Sequence, residues 1–330
     1  MHAIQVREFG PPEQLEWTEL PDPAPGPGEV LVAVEAAGVN RADVLFRSGG
    51  YHRAPPLPAV PGVEGAGTVV QLGSGAHGVA VGDRVAAWGA TGAPGFYTEL
   101  AAVAADRTVA VPAGVDIQAA AALPTASLSA WYCMHRLAEV QPGETVLVHA
   151  GASGVGSAAV QIVKNAGATV IATAGSPEKQ AWVRELGADH VLDHRSADIA
   201  AEVSRLTDGR GAEVVLDLVG GSTFAVSLRA VARAGRVVAM ANVALAPSTI
   251  DTRDFYPKNV RIYGFQITDL VEHGWDPRPD LTELLGAVGK ARFTVRIDST
   301  FPLEQAPAAH RRLESRAAKG KIMLVTAVRR

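Results

Sequence analysis

Thr145-Val-Leu-Val-His-Ala-Gly-Ala-Ser-Gly-Val-Gly156 reads as an apolar strand running into a glycine turn. Past the turn, Val155, Ala158, Ala159, Ile162 and Val163 recur at helical spacing as far as Gly167. A second short strand, Thr169-Val-Ile-Ala-Thr173, leads into Gly175-Ser-Pro-Glu-Lys179. Strand, glycine turn, helix and strand in this order predict a dinucleotide-binding unit. In such a unit Gly151, Ala152, Ser153, Gly154, Val155 and Gly156 bring main-chain N–H groups up to a pyrophosphate at a helix N-terminus. Ser153 stands where the common pattern has its middle glycine. Its small side chain leaves room for the pyrophosphate, and its hydroxyl is a candidate partner for it.

The end of the second strand bears on which dinucleotide binds. An NAD site places Asp or Glu about 20 residues beyond the glycine turn, on the ribose 2′-hydroxyl. Here that region holds Gly175, Ser176 and, a helical turn later, Lys179. An acid would repel a 2′-phosphate, whereas glycine, hydroxyl and ammonium accept one, so NADPH is the expected cofactor. Ser176-Pro177 reads equally as an N-cap followed by proline at the first helical position. The two roles are compatible, because a helix start is itself an anion site. Lys179 taken alone also fits a solvated surface charge.

Residues 1–122 are short β runs broken by Pro and Gly: Leu15-Glu-Trp-Thr-Glu-Leu20, Glu29-Val-Leu-Val-Ala-Val-Glu-Ala-Ala37, Gly67-Thr-Val-Val-Gln-Leu72 and Asp83-Arg-Val-Ala-Ala87. They predict a small, partly open barrel or sandwich. Residues 123–266 alternate Ala-rich helices with the strands Val214-Val-Leu-Asp-Leu218, Gly235-Arg-Val-Val-Ala239 and Val260-Arg-Ile-Tyr263, the pattern of a doubly wound parallel sheet. Residues 267–330 add two helical stretches and a last strand, Gly320-Lys-Ile-Met-Leu-Val-Thr326, and are expected to return to the first domain. The expected fold class is therefore α/β, a doubly wound nucleotide domain plus a β-rich domain, with the active cleft at their junction.

Composition narrows the function. The chain is 48% hydrophobic and 19% charged with a formal net charge of −4, and no basic block marks a nucleic-acid surface. The one cysteine, Cys133, forms no intrachain disulfide, which suits a reducing compartment. Met1-His-Ala-Ile-Gln-Val6 is a strand pattern rather than a signal-peptide layout, and no apolar run reaches membrane-spanning length. A cytoplasmic protein acting on a small molecule is expected.

Several segments together carry a family resemblance: Gly38-Val-Asn-Arg-Ala-Asp43, Arg47-Ser-Gly-Gly-Tyr51, Pro61-Gly-Val-Glu-Gly-Ala-Gly67, Val81-Gly-Asp-Arg-Val85, Gly143-Glu-Thr-Val-Leu-Val-His149, Gly187-Ala-Asp189, Asp193-His-Arg195 and Gly235-Arg-Val-Val238. In order and spacing the chain resembles zinc-independent medium-chain dehydrogenases/reductases of the quinone oxidoreductase (zeta-crystallin-like) family. The resemblance implies a GroES-like catalytic domain beside the Rossmann domain. Zinc-dependent relatives carry Cys and Asp three residues apart, then His-Glu before Gly-x-Gly; here those places hold Asn40 with Asp43, and Val63 with Glu64. No metal is expected, because zinc needs thiolate or imidazole ligands that are missing.

By the same resemblance, Asn40, Asp43 and Tyr51 face the substrate, where an amide and a phenol can donate to charge developing on oxygen. Local readings remain open: Asn40 and Asp43 as caps of a turn and of a short helix around Ala42–Phe46, Tyr51 as a core aromatic. Asn40 and Thr125 are implied on the nicotinamide side, and His194 beside the adenosine phosphate. Asn242 and Val243, then Phe265, Gln266 and Ile267, fall at the carboxyl ends of later strands, where open parallel sheets bind ligands. Arg316 matches an arginine that reaches the 2′-phosphate and reads equally as an exposed helix-end cation. The implied activity is NADPH-dependent reduction of a quinone or similar conjugated carbonyl, in a homodimer paired through the edge strand Val260–Phe265. The alternatives are reduction of the C=C bond of an enone, enal or enoyl thioester, and a non-catalytic crystallin-like protein binding NADPH or RNA.

Overall fold

Six parallel strands build the sheet of the unit Ser129–Ile267, in the spatial order His190–Leu192, Thr169–Thr173, Thr145–Val148, Ala212–Asp217, Val231–Ala239 and Arg261–Gly264. The structure, a computed structural model, describes residues 1–53, 55–89 and 95–327. The chain enters this sheet at its centre, winds outward to His190–Leu192, then restarts on the other side at Ala212–Asp217. Val146 accordingly pairs with Val170 on one side and Val214 on the other. Ligands of such sheets bind at the carboxyl ends of the strands flanking this reversal. The sequence dictates the arrangement, because Leu147, Ile171, Val215 and Val237 are apolar and wholly buried, as strands covered on both faces require. The three-residue strand His190–Leu192 is too short to show a period in the sequence.

The helices Gly154–Asn165, Pro177–Glu185, Ile199–Leu206 and Ser222–Ala230 connect these strands. Ser153, Ser176 and Asp198 cap the first three with side-chain oxygens that accept first-turn N–H groups. Lys258 closes the other end of Ser222–Ala230, its Nζ donating to the carbonyls of Leu228 and Arg229 and, just past the helix, Val231. A cation there complements the negative end of the helix dipole.

The other unit comprises Met1–Leu128 and Thr268–Arg330. Its main sheet runs Ile297–Pro302, Lys321–Val325, Glu29–Val39, Glu64–Leu72, Arg84–Trp88 and Thr108–Ala110, with Leu100–Ala104 also pairing Glu29–Val39. The pairings are antiparallel except that between Ile297–Pro302 and Lys321–Val325. Glu29–Val39 and Glu64–Leu72 press together so closely at Gly67 that a Cβ there would overlap the Ala33 carbonyl. Residues 123–128 lie in this unit, and Thr125 with them.

Beyond Ile267 the structure corrects the expected two helical stretches to three helices, Ile267–Glu272, Arg278–Gly289 and Ala306–Glu314. The first has six residues, too few to repeat an apolar face. Among the described residues no helix is long and apolar enough to cross a membrane.

Candidate active site

At the glycine turn, Ala150 N donates to Thr173 Oγ1 at 3.0 Å and Gly151 N donates to Thr173 O at 2.9 Å, tying the turn to the neighbouring strand. A Cβ on Gly156 would overlap the Ala150 carbonyl, so the helix packs against the turn only with glycine there. Ser153 Oγ accepts from Gly156 N at 3.0 Å, which explains the serine as an N-cap. The N–H groups of Gly154 and Val155 stand in the first turn, where no intrahelical acceptor exists. Two open donors at the positive end of a twelve-residue helix fit a pyrophosphate.

At the end of the second strand, Ser176 Oγ accepts from Lys179 N at 3.3 Å. Gly175 lies under the His194 ring, and a Cβ added there would sit 2.7 Å from Cε1. Glycine is what lets the ring come down. His194 titrates below its ordinary value, through burial and the nearby cations Arg195 and Lys179 against the opposing pull of Asp193. Four residues named from the sequence thus converge here: Gly175, Ser176, Lys179 and His194. Asn242 and Val243 follow Val231–Ala239, with Asn242 Nδ2 donating to Ala246 O at 3.0 Å. Phe265 N donates to Ala239 O at 3.1 Å and its ring lies 5.7 Å from that of Tyr132. Gln266 and Ile267 continue from it. All these stand at the carboxyl edge of the sheet.

In the other unit the named residues meet a network that the sequence did not disclose. Glu64 is 0% exposed and Lys321 4% exposed. Lys321 Nζ donates to Glu64 Oε1 at 2.5 Å, to Asn40 Oδ1 at 2.7 Å and to Val39 O at 3.3 Å. Asn40 Nδ2 donates to Glu64 Oε1 at 2.8 Å and approaches Gly38 O at 3.4 Å. Glu64 Oε2 accepts from Thr125 N at 2.7 Å. A Cβ on Gly38 would overlap Glu64 Oε1, so the glycine of the Gly-Val-Asn segment makes room for this carboxylate. The signal available in the sequence was Lys321 itself, a cation opening an otherwise apolar strand.

Asp43 caps the helix Arg41–Arg47: it is 2% exposed, and its Oδ2 accepts from Asn40 N at 2.8 Å and from Tyr97 OH at 3.3 Å. Tyr97 OH also lies 3.1 Å from His310 Nε2. Burial pushes the Asp43 carboxyl up to about 7, against the opposing pull of the Asn40 N–H, Lys321 and Tyr97. Burial drives His310 down to about 3, with Arg47 and Arg41 adding to it. Arg47 anchors the same helix through a two-pronged pair with Glu314 at 2.7 and 3.1 Å. Tyr51 follows, half-buried against the core, its ring 4.8 Å from that of His52. Arg53 ties this loop to Asp269 at 3.0 Å and to Glu272. Arg316 is exposed just past the helix Ala306–Glu314. Among the described residues no group of three His, Cys, Asp or Glu could hold a metal ion.

Comparison with known proteins agrees with this architecture. Residues 26–113 match the alcohol dehydrogenase GroES-like domain and residues 154–285 the zinc-binding dehydrogenase domain. A quinone oxidoreductase of Pseudomonas aeruginosa is 36% identical over 98% of this chain and 98% of its own. The chain belongs to the quinone oxidoreductase family of medium-chain dehydrogenases/reductases. A solved Escherichia coli quinone oxidoreductase of this family, in complex with NADPH, superposes with a TM-score of 0.91 at 31% identity, covering 98% of this chain and 100% of its own. A solved NAD-dependent alcohol dehydrogenase gives the same TM-score of 0.91 at 32% identity, covering 99% and 100%. Backbone similarity therefore does not by itself choose between cofactors or acceptors.

Asp43 makes a pH prediction. Its folded-state value, about 7, lies above the ordinary 3.8, so the folded chain holds this proton more tightly than the unfolded one. The stability tied to it is present at low pH and lost as pH rises towards 7. Between about pH 5 and pH 8 the wild type should lose roughly 2 kcal/mol relative to Asp43→Asn, read from denaturant unfolding. Parallel pH profiles would contradict the assignment.

Proposed function

We propose that this protein is an NADPH-dependent quinone oxidoreductase that reduces a quinone or similar conjugated carbonyl without a metal ion. The observation that carries the reading is the Lys321 ammonium lodged on Asn40 and Glu64. The ammonium engages Asn40, at the place of the zinc relatives' cysteine, and Glu64, next to the Val63 that stands in place of their histidine, and a cation there repels a dication. An acceptor in this site is activated by hydrogen bonds alone.

The first-turn N–H groups of Gly154 and Val155 hold the pyrophosphate, and Ser176, Lys179 and His194, with Arg316, receive the 2′-phosphate. Asn242, Val243, Phe265, Gln266 and Ile267 line the cofactor further along. Thr125 hydroxyl supports the nicotinamide side. Bound there, NADPH supplies hydride from nicotinamide C4. The second Nδ2–H of Asn40, whose contact with Gly38 O is a long 3.4 Å, turns to the acceptor oxygen, and the Tyr51 hydroxyl joins it. Asp43 positions Asn40 by holding the helix start, and solvent delivers the proton.

The strand Arg261–Gly264 edges its sheet with Ile262 41% exposed, and pairing with its copy in a second chain would cover it. The proposed state is a homodimer. Cys133, buried and unpaired, suits the cytoplasm.

Side-by-side kcat/KM values for 1,4-benzoquinone, 9,10-phenanthrenequinone, an alkenal and crotonyl-CoA test the acceptor. The quinones should lead, and a larger value for either olefin would replace this reading with C=C reduction. For the cofactor, Lys179→Glu should lower the NADPH/NADH ratio of kcat/KM by about tenfold or more. An unchanged ratio would remove Lys179 from the 2′-phosphate site.

A further inference from the structure

We propose that Lys321 and Glu64 are positioning residues for this reaction: they fix which end of the Asn40 amide meets the acceptor, and Glu64 also holds Thr125 in place. The inference rests on the proposed function for its chemistry, though not for its geometry. An ammonium offers only donors and an ionised carboxylate only acceptors. Asn40 lies between them, Oδ1 on Lys321 at 2.7 Å and Nδ2 on Glu64 at 2.8 Å. Turning the amide over would set N–H against ammonium and C=O against carboxylate, losing both bonds and adding two repulsions. Only one orientation survives, and in it the spare hydrogen on Nδ2 has nothing better than a 3.4 Å contact to Gly38 O. That hydrogen is the donor the acceptor needs.

The same carboxylate reaches the second named residue. Glu64 Oε2 accepts from Thr125 N at 2.7 Å, inside the wide helical turn Leu123–Ser127. One anion thus sets both an amide and a threonine. A buried ion pair is a weak stabiliser, since apolar residues of equal volume often do as well. What apolar residues cannot do is impose polarity on a neighbouring amide. Gly38 supports this weighting, because the long strand Glu29–Val39 gives up a side chain near its end to admit Glu64.

The test uses Lys321→Met and the double variant Lys321→Met with Glu64→Gln, which leaves no unpaired charge and carries the test if the single variant does not fold. In the double variant Thr125 N keeps an acceptor only when the amide nitrogen introduced by Glu64→Gln faces Asn40, which reverses Asn40. The chain has four asparagines, Asn40, Asn165, Asn242 and Asn259, so selective ¹⁵N-asparagine labelling resolves the Asn40 side-chain amide, assigned by its loss in Asn40→Asp. The expected result is a moved Asn40 signal with at least about tenfold faster hydrogen exchange, and a kcat at least about tenfold lower with acceptor KM changed far less. An Asn40 signal and exchange rate unchanged from wild type would overturn the inference, as would a kcat within about threefold of wild type. The amide readout needs no acceptor. A wild type that reduces no quinone sinks the functional reading, and the Asn40 signal still decides this one.

Discussion

An ammonium buried against a carboxylate and an amide is the constraint on which the Met1–Leu128 and Thr268–Arg330 unit depends. Lys321 opens the strand Lys321–Val325, which pairs antiparallel with Glu29–Val39, and Glu64 opens the strand on the far side of Glu29–Val39. The pair therefore joins the two outer members of three adjacent strands, across the end of the central one. Neither charge can be left alone there, because removing one partner of a buried pair typically costs about 3–5 kcal/mol. The residues that must accompany it follow from sterics and valence: glycine at position 38 for room, Asn40 and the Thr125 N–H to satisfy the remaining oxygen positions.

The Ser129–Ile267 unit solves its own problem with backbone. The pyrophosphate site proposed for it is a helix start, where first-turn main-chain N–H groups have no intrahelical acceptor. Ser153 belongs to that scheme: it caps Gly156 N and leaves Gly154 and Val155 open. Beyond the second strand the proposed selectivity site is made of side chains, Ser176, Lys179 and His194, with Gly175 leaving room for the His194 ring.

This contrast explains what could be read from the sequence. The glycine turn, its strand and helix, and the parallel sheet are local or periodic features, and each left a pattern within a short window. Asn40 and Asp43 were also legible as residues, through their place in the Gly38–Asp43 segment. What they touch was not. The Asn40 amide is engaged by a lysine far along the chain, and Asp43 meets Tyr97 and, through it, His310 from two further segments; no spacing rule encodes such contacts. The same holds for Glu64, which stands out in the sequence only as the neighbour of a missing histidine. Short elements failed for a different reason: Ile267–Glu272 and His190–Leu192 end before a period can repeat.

In the function proposed above, the Lys321 ammonium on Asn40 and Glu64 keeps a metal dication away and leaves activation of the acceptor to hydrogen bonds. The most direct test is the NADPH–quinone turnover rate of protein stripped with a strong chelator, with bound metal quantified by mass spectrometry on the same sample. A metal content far below one ion per chain and a rate unchanged from untreated protein are expected. A rate that collapses on stripping and returns with one equivalent of zinc would contradict it.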